Sequence, residues 1–130
     1  MLPFLRSRTR SFKYAFEGWW FVVRTQQNAW IHAVVSLMVV LLGLWLGISP
    51  RDWAVIILAI SMVWAAEFFN TALEAIVDLA SPEMNHLAKI GKDVGAAAVL
   101  IAAGASILIG LLILGPPFWE KMDWLVGFWD

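Results

Sequence analysis

The stretch VGAAAVLIAAGASILIGLLILG, residues 94 to 115, carries no charged side chain. A run of that length and apolarity supplies the roughly 20 residues that a helix needs to cross a bilayer. It has two companions, because no formal charge falls between Arg24 and Arg51 or from Trp53 to Ala66. The chain is therefore predicted to be an all-α membrane protein with three transmembrane helices, at about 29–48, 52–79 and 90–115. Pro116-Pro117 predicts the end of the third, since proline has no N–H to donate and its ring collides with the preceding turn. Composition agrees: 62% of the residues are hydrophobic and 15% charged, with mean hydropathy +0.78, against about 45–50% and about 25% in soluble domains.

Charge at the flanks predicts orientation. Arg6, Arg8, Arg10, Lys13 and Arg24 precede the first span and Lys89 and Lys92 lie in and after the second connection, whereas only Arg51 and Lys121 fall at the opposite ends. The positive-inside bias places the N-terminus and the 80–92 connection in the cytoplasm and the C-terminus outside. The basic start, without a continuous apolar run, does not read as a cleaved secretory signal. Within residues 5–27, Phe12, Phe16, Trp19 and Val23 recur at helical spacing and predict an amphipathic surface helix. In the tail, 116–130, Trp119, Met122, Val126 and Trp129 repeat the theme and suit the headgroup zone. No repeat or linker divides the chain, so residues 1–130 read as one helical domain. A net charge of −1 gives no reason to expect a nucleic-acid partner, and the absence of cysteine excludes disulfides, thiolate metal sites and cysteine nucleophiles. Ala98, Ala102, Ser106 and Gly110 form a small-residue stripe that permits close helix approach, within one chain or in an oligomer. Three thin helices enclose little volume, which favours the oligomer.

The segment AEFFNTALEAIVD, residues 66–78, runs against this apolar background. Glu67, Asn70, Glu74 and Asp78 are spaced three, four and four apart, which aligns them on one helical face. An acidic residue in mid-membrane costs about 2.5–3.5 kcal/mol on insertion scales, so such a residue reads first as functional and second as a buried packing network. The segments 36–48, 53–66 and 94–115 hold no ionisable side chain. The polar groups thus form a basin open at one end, near Asp78, Lys92 and Asp93, rather than a path across the bilayer. That arrangement suits chemistry joining a water-soluble reagent to a membrane-dissolved one better than it suits a channel.

Carboxylates with an amide can hold Mg²⁺, and a nearby lysine can neutralise a transferred phosphate. Lys92 alone would read as a positive-inside anchor; the adjacent acidic stripe changes that reading. No G-x-x-x-x-G-K-[ST] loop is present, so a nucleotide would need another kind of site. His32 and His86 lack partners at metal-ligand spacing and read as a polar residue in the first span and a surface loop residue.

AEFFNTALEAIVD followed by SPEMNHLAKIGKDVGAAAVLIAA, with FKYAFEG near the start, resembles the bacterial integral-membrane diacylglycerol kinase and undecaprenol kinase family over about residues 10–115. The E-x-x-N-[ST]-A-[IL]-E pattern with a later K-D is specific to it. The resemblance implies a small homotrimer in the bacterial plasma membrane, with an amphipathic surface helix, three spans and sites completed by a neighbouring subunit. It implies Mg²⁺- and ATP-dependent phosphorylation of a lipid hydroxyl. Position by position, Glu67 matches the general base, Glu74 a metal-coordinating carboxylate and Asn70 the residue beside the transferred phosphate. Lys92 matches a contact to the ATP phosphates, and Tyr14, Asp78 and Asp93 match positions associated with the nucleotide.

The chain departs from the family where a second metal-binding glutamate is usual: counting from Gly18, that place holds Gln26. An amide oxygen can coordinate Mg²⁺ but supplies no charge. The SPE-x-x-x-LAKI-x-KDV stretch is more similar to the undecaprenol kinase branch than to the diacylglycerol branch, so a polyprenol is the expected acceptor and diacylglycerol the alternative. Two other classes stand beside the kinase: a transporter or proton-conducting subunit, motivated by the intramembrane carboxylates, and a non-catalytic protein that keeps the fold, motivated by Gln26.

Overall fold

The computed structural model describes residues 2–83 and 85–127, and these form four helices: α1 (Leu2–Thr25), α2 (Gln27–Leu46), α3 (Pro50–Ala80) and α4 (His86–Gly127). Three of them, over Gln27–Leu46, Pro50–Ala80 and His86–Trp124, are long and apolar enough to cross a membrane. Their large outward residues, Leu37, Leu41, Leu58, Leu100, Leu108 and Leu112 among them, are exposed, as side chains facing lipid rather than water would be.

Local chemistry sets most of the helix ends. α2 stops at Gly47, whose φ of 70° is the left-handed cap conformation and whose N–H donates to Gly43 O. α3 begins two residues later with a capping box: Ser49 Oγ accepts from Asp52 N, the Asp52 carboxylate accepts from Ser49 N, and Pro50 takes the first helical position, where its missing N–H costs nothing. At the other end of α3, Ser81 precedes Pro82, and α4 restarts where Asn85 Oδ1 accepts from Ala88 N at 2.9 Å.

Three boundaries differ from expectation. α4 begins at His86 rather than at about residue 90, so His86 and Lys89 lie on the helix and the connection is 81–85 rather than 80–92. The surface helix was expected to include residue 26, but α1 ends at Thr25 and Gln26 is extended, with φ −98° and ψ 118°, forming a one-residue break before α2. α4 also runs through Pro116 and Pro117 to Gly127, so these prolines do not end the helix. The turns beyond them are held from outside. Lys121 Nζ donates to Trp45 O and lies 4.7 Å from the Trp45 ring centroid, and Phe118 packs on the same ring at 6.2 Å. That anchorage compensates for the N–H groups the prolines lack. Of the expected tail stripe, Trp119 and Met122 fall on α4, while Trp129 and the side chain of Val126 lie outside the described residues, as do the side chains of Arg6 and Arg8.

α3 packs far more extensively on α4 than on α2. The antiparallel α3–α4 seam uses small residues, with Ala59, Val63, Val99 and Ala102 buried and Ser106 Oγ donating to Ala59 O at 3.1 Å. Ala102 and Ser106 of the small-residue stripe therefore serve this seam, whereas Ala98 is exposed and a side chain on Gly110 would meet nothing within 4 Å. α2 also runs antiparallel to α3, tied by Trp64 Nε1 donating to Ser36 Oγ at 3.3 Å. On α1, Phe12 and Phe16 are exposed, Val22 is buried and Trp19 stacks on Trp64 of α3 at 6.5 Å.

Candidate active site

Burial changes steadily along the α3 stripe. Glu67 is 1% exposed and Asn70 7%, Glu74 is half-buried, and Asp78 at the helix end is exposed. The four side chains make a polar track with a closed end at Glu67 and an open end at Asp78. The spacing that aligns them is the helical one read from the sequence.

Glu67 occupies the closed end. Its backbone carbonyl accepts from Thr71 Oγ1 at 2.9 Å, yet neither carboxylate oxygen has a hydrogen-bond partner. The nearest cationic candidate is His32 of α2, whose Nε2 lies 3.6 Å from Glu67 Oε2 and is also unpartnered. A carboxylate buried without partners is costly and calls for a specific reason. Around it stand aromatic rings: Trp64 meets His32 edge-on at 6.3 Å and Phe68 at 6.0 Å.

One turn on, Asn70 Nδ2 donates to Glu74 Oε1 at 3.0 Å, and Asn70 Oδ1 is buried without a partner. Gly95 of α4 makes room for this amide. A Cβ there would fall 2.5 Å from Asn70 Oδ1 and 3.0 Å from Leu73 Cδ2. At the open end, Lys92 Nζ pairs with Asp78 Oδ1 at 2.6 Å across α3 and α4. Lys92 is half-buried and Asp78 exposed, so solvent screens the pair and it contributes about 0–1 kcal/mol.

The structure thus brings Glu67, Asn70 and Glu74 onto one track and joins Asp78 to Lys92. Asp93 turns instead to Lys89 on the outer face of α4, and Tyr14 stands 65% exposed on α1. Gln26 sits at the α1–α2 break, where its side chain does not cap α2. His86 is exposed at the start of α4. The approach of His32 to Glu67 and of Gly95 to Asn70 was missed from sequence. The available signal for His32 was its position as the one titratable residue between Arg24 and Arg51; for Gly95 it was a glycine one turn after Lys92.

Among the described residues, no group of three or more His, Cys, Asp or Glu side chains forms a metal cage. The donors present still suit Mg²⁺, which takes oxygen ligands and commonly uses one or two carboxylates with substrate phosphates. Glu74 keeps one oxygen outside its bond to Asn70, and the buried Asn70 Oδ1 is an unpaired oxygen donor beside it.

The family model for prokaryotic diacylglycerol kinase matches residues 13–114, a span containing every residue discussed as part of the track. Similar curated proteins include the undecaprenol kinase of Bacillus subtilis (strain 168), 38% identical over 107 residues that cover 82% of this chain and 87% of that protein. The diacylglycerol kinase of Synechocystis sp. is 39% identical over 113 residues, covering 86% of this chain and 65% of that protein. The diacylglycerol kinase of Escherichia coli (strain K12) is 30% identical over 117 residues, covering 85% and 93%.

Proposed function

The chain belongs to the prokaryotic diacylglycerol kinase family and is a bacterial membrane lipid kinase, and from that premise we propose that it transfers the γ-phosphate of ATP to the hydroxyl of a polyprenol, undecaprenol in the first instance. One observation carries the site assignment: a buried carboxylate without a hydrogen-bond partner, Glu67, stands at the closed end of a polar track whose open end is the Asp78–Lys92 pair.

In this reading the lipid hydroxyl reaches Glu67 from the apolar side. Glu67 accepts the hydroxyl proton as the oxygen attacks the γ-phosphorus, the new O–P bond forms, and the bond to the β-phosphate oxygen breaks to release ADP. The chain's task is mainly positioning and charge neutralisation. Lys92 bears on the phosphates, leaving Asp78 as it does so; Asn70 uses its amide beside the transferred group; Asp93 and Tyr14 contact the nucleotide. Glu74 and Gln26 would hold Mg²⁺, which when bound offsets charge on the phosphates. The α2–α3 register supports the inclusion of Gln26. Starting from the His32–Glu67 contact, Gln26 lies about 9 Å back along α2 and Glu74 about 10 Å on along the antiparallel α3, at about 1.5 Å per residue.

The acceptor reading is supported by the SPEMNHLAKIGKDV stretch and by the Bacillus relative, matched over most of its length. Diacylglycerol is the second reading, favoured by the Synechocystis relative at similar identity. We place the N-terminus and the α3–α4 connection in the cytoplasm and the C-terminus outside, on the charge bias of the flanks. α1 lies on the membrane surface, with Phe12 and Phe16 toward lipid, a reading supported by the helical spacing of Phe12, Phe16, Trp19 and Val23. A homotrimer with sites shared between subunits is supported by the thin bundle and by the open small-residue surface at Ala98 and Gly110. The transporter or proton-conducting reading is disfavoured by the stretches 36–48, 53–66 and 94–115, which hold no ionisable side chain on the far side of Glu67.

The test is transfer of labelled γ-phosphate from Mg-ATP to undecaprenol and to diacylglycerol, side by side, with Glu67→Gln as control. Preferred labelling of undecaprenol that falls by about 100-fold or more in the control is expected, in the range for a lost general base. Preferred labelling of diacylglycerol moves the acceptor to the second reading; turnover surviving in Glu67→Gln removes Glu67 as base.

A further inference from the structure

We propose that His32 is the positioning residue of the catalytic base: its imidazole, in the Nε2–H tautomer, donates to Glu67 Oε2 and leaves Oε1 to receive the proton of the acceptor hydroxyl. The inference rests on the reading of Glu67 as base. Two buried polar groups on different helices, each without a partner, face one another across 3.6 Å. That is just beyond hydrogen-bond length, and a small side-chain rotation closes it. No other titratable side chain is paired with the Glu67 carboxylate among the described residues.

The imidazole is itself set in place. Its side chain is 14% exposed, and Trp64, one turn before Glu67 on α3, meets it edge-on at 6.3 Å. Trp64 is in turn tied to α2 by its bond to Ser36, one turn beyond His32. The ring and the base are therefore aligned by the same two helices, one turn apart. A carboxylate with two equivalent free oxygens can turn either to the acceptor; one oxygen engaged by a donor fixes the other. Misplacing a reacting group by about 1 Å can cost about 100-fold in rate, so the alignment bears on turnover.

A residue that only fills space between α2 and α3 would affect folding and leave the chemistry alone. The experiment compares His32→Ala, His32→Gln and His32→Phe with wild type and Glu67→Gln, each full-length in lipid nanodiscs containing the acceptor, measuring kcat and both KM values along with thermal unfolding. His32→Ala is expected to lower kcat about 10- to 100-fold while both KM values stay within about twofold. His32→Gln, whose amide N–H stands near the position of Nε2, is expected to recover most of the lost kcat. His32→Phe keeps the bulk without the donor and is expected to remain as slow as His32→Ala, even where it melts at the wild-type temperature. Wild-type kcat in His32→Phe, or no advantage of Gln over Phe among folded variants, overturns the proposal while an inactive Glu67→Gln leaves the base reading intact. An active Glu67→Gln overturns both.

Discussion

Gly95 shows how closely α4 is fitted to the Asn70 amide of α3. Its missing side chain is occupied by Asn70 Oδ1, and a methyl group there would sit 2.5 Å from that oxygen. Because Asn70 is buried and bonded to Glu74, it cannot move without disturbing the track. Gly95→Ala is expected to cost about 1–3 kcal/mol in stability and, through displaced Asn70, about 10-fold or more in kinase activity. Gly91→Ala is the matched control: its Cβ would meet only Val77 Cγ2, at an ordinary 3.6 Å, and activity should stay at wild type. Equal activity of the two variants would show that Asn70 is not positioned by this contact. At this scale the sequence was informative about what lies on one helix and silent about what meets across two. Glu67, Asn70, Glu74 and Asp78 align by spacing alone, whereas the approach of His32 to Glu67 and of Gly95 to Asn70 depends on helix registers that no local pattern encodes.

Helix ends follow their own chemistry when they are free and yield to tertiary contacts when they are held. The Ser49–Asp52 capping box is of the first kind. Ser49→Ala should destabilise the protein by about 1 kcal/mol, measured by reversible unfolding in mixed micelles, with no change in kcat per folded molecule; an unchanged stability would show that Pro50 and Gly47 suffice to start α3. The end of α4 is of the second kind. A pair of prolines reads locally as a stop, but the ammonium of Lys121 on Trp45 and the ring of Phe118 beside it hold the next turns against α2. α1 shows the same competition. A stripe at 12, 16, 19 and 23 suggested a single lipid-facing side, yet the chain packs Trp19 on Trp64 and buries Val22, one position off the stripe.

Across the molecule, the order of three long apolar helices was legible because each uncharged run is about the thickness of a bilayer. The break at Gln26 was not, since its neighbours on both sides form helix and no proline or glycine marks it. The proposed orientation has a direct check, made simple by the absence of cysteine. Single cysteines replacing Arg51 in the first turn of α3 and Glu83 in the α3–α4 connection should react oppositely with an impermeant maleimide: Arg51→Cys in intact cells, Glu83→Cys only after the membrane is opened. The reverse pattern would invert the topology.

The track that ends at Glu67 also governs where the product can go. A lipid alcohol is neutral and can sample the hydrocarbon depth, but its phosphate ester is an anion and meets the same desolvation penalty that keeps carboxylates out of that region. Beyond Glu67 the apolar stretches 36–48, 53–66 and 94–115 offer no ionisable side chain to accompany it. On the proposed reading of the site, the newly charged headgroup leaves toward the open end at Lys92, and each turnover deposits its product in the leaflet on that side.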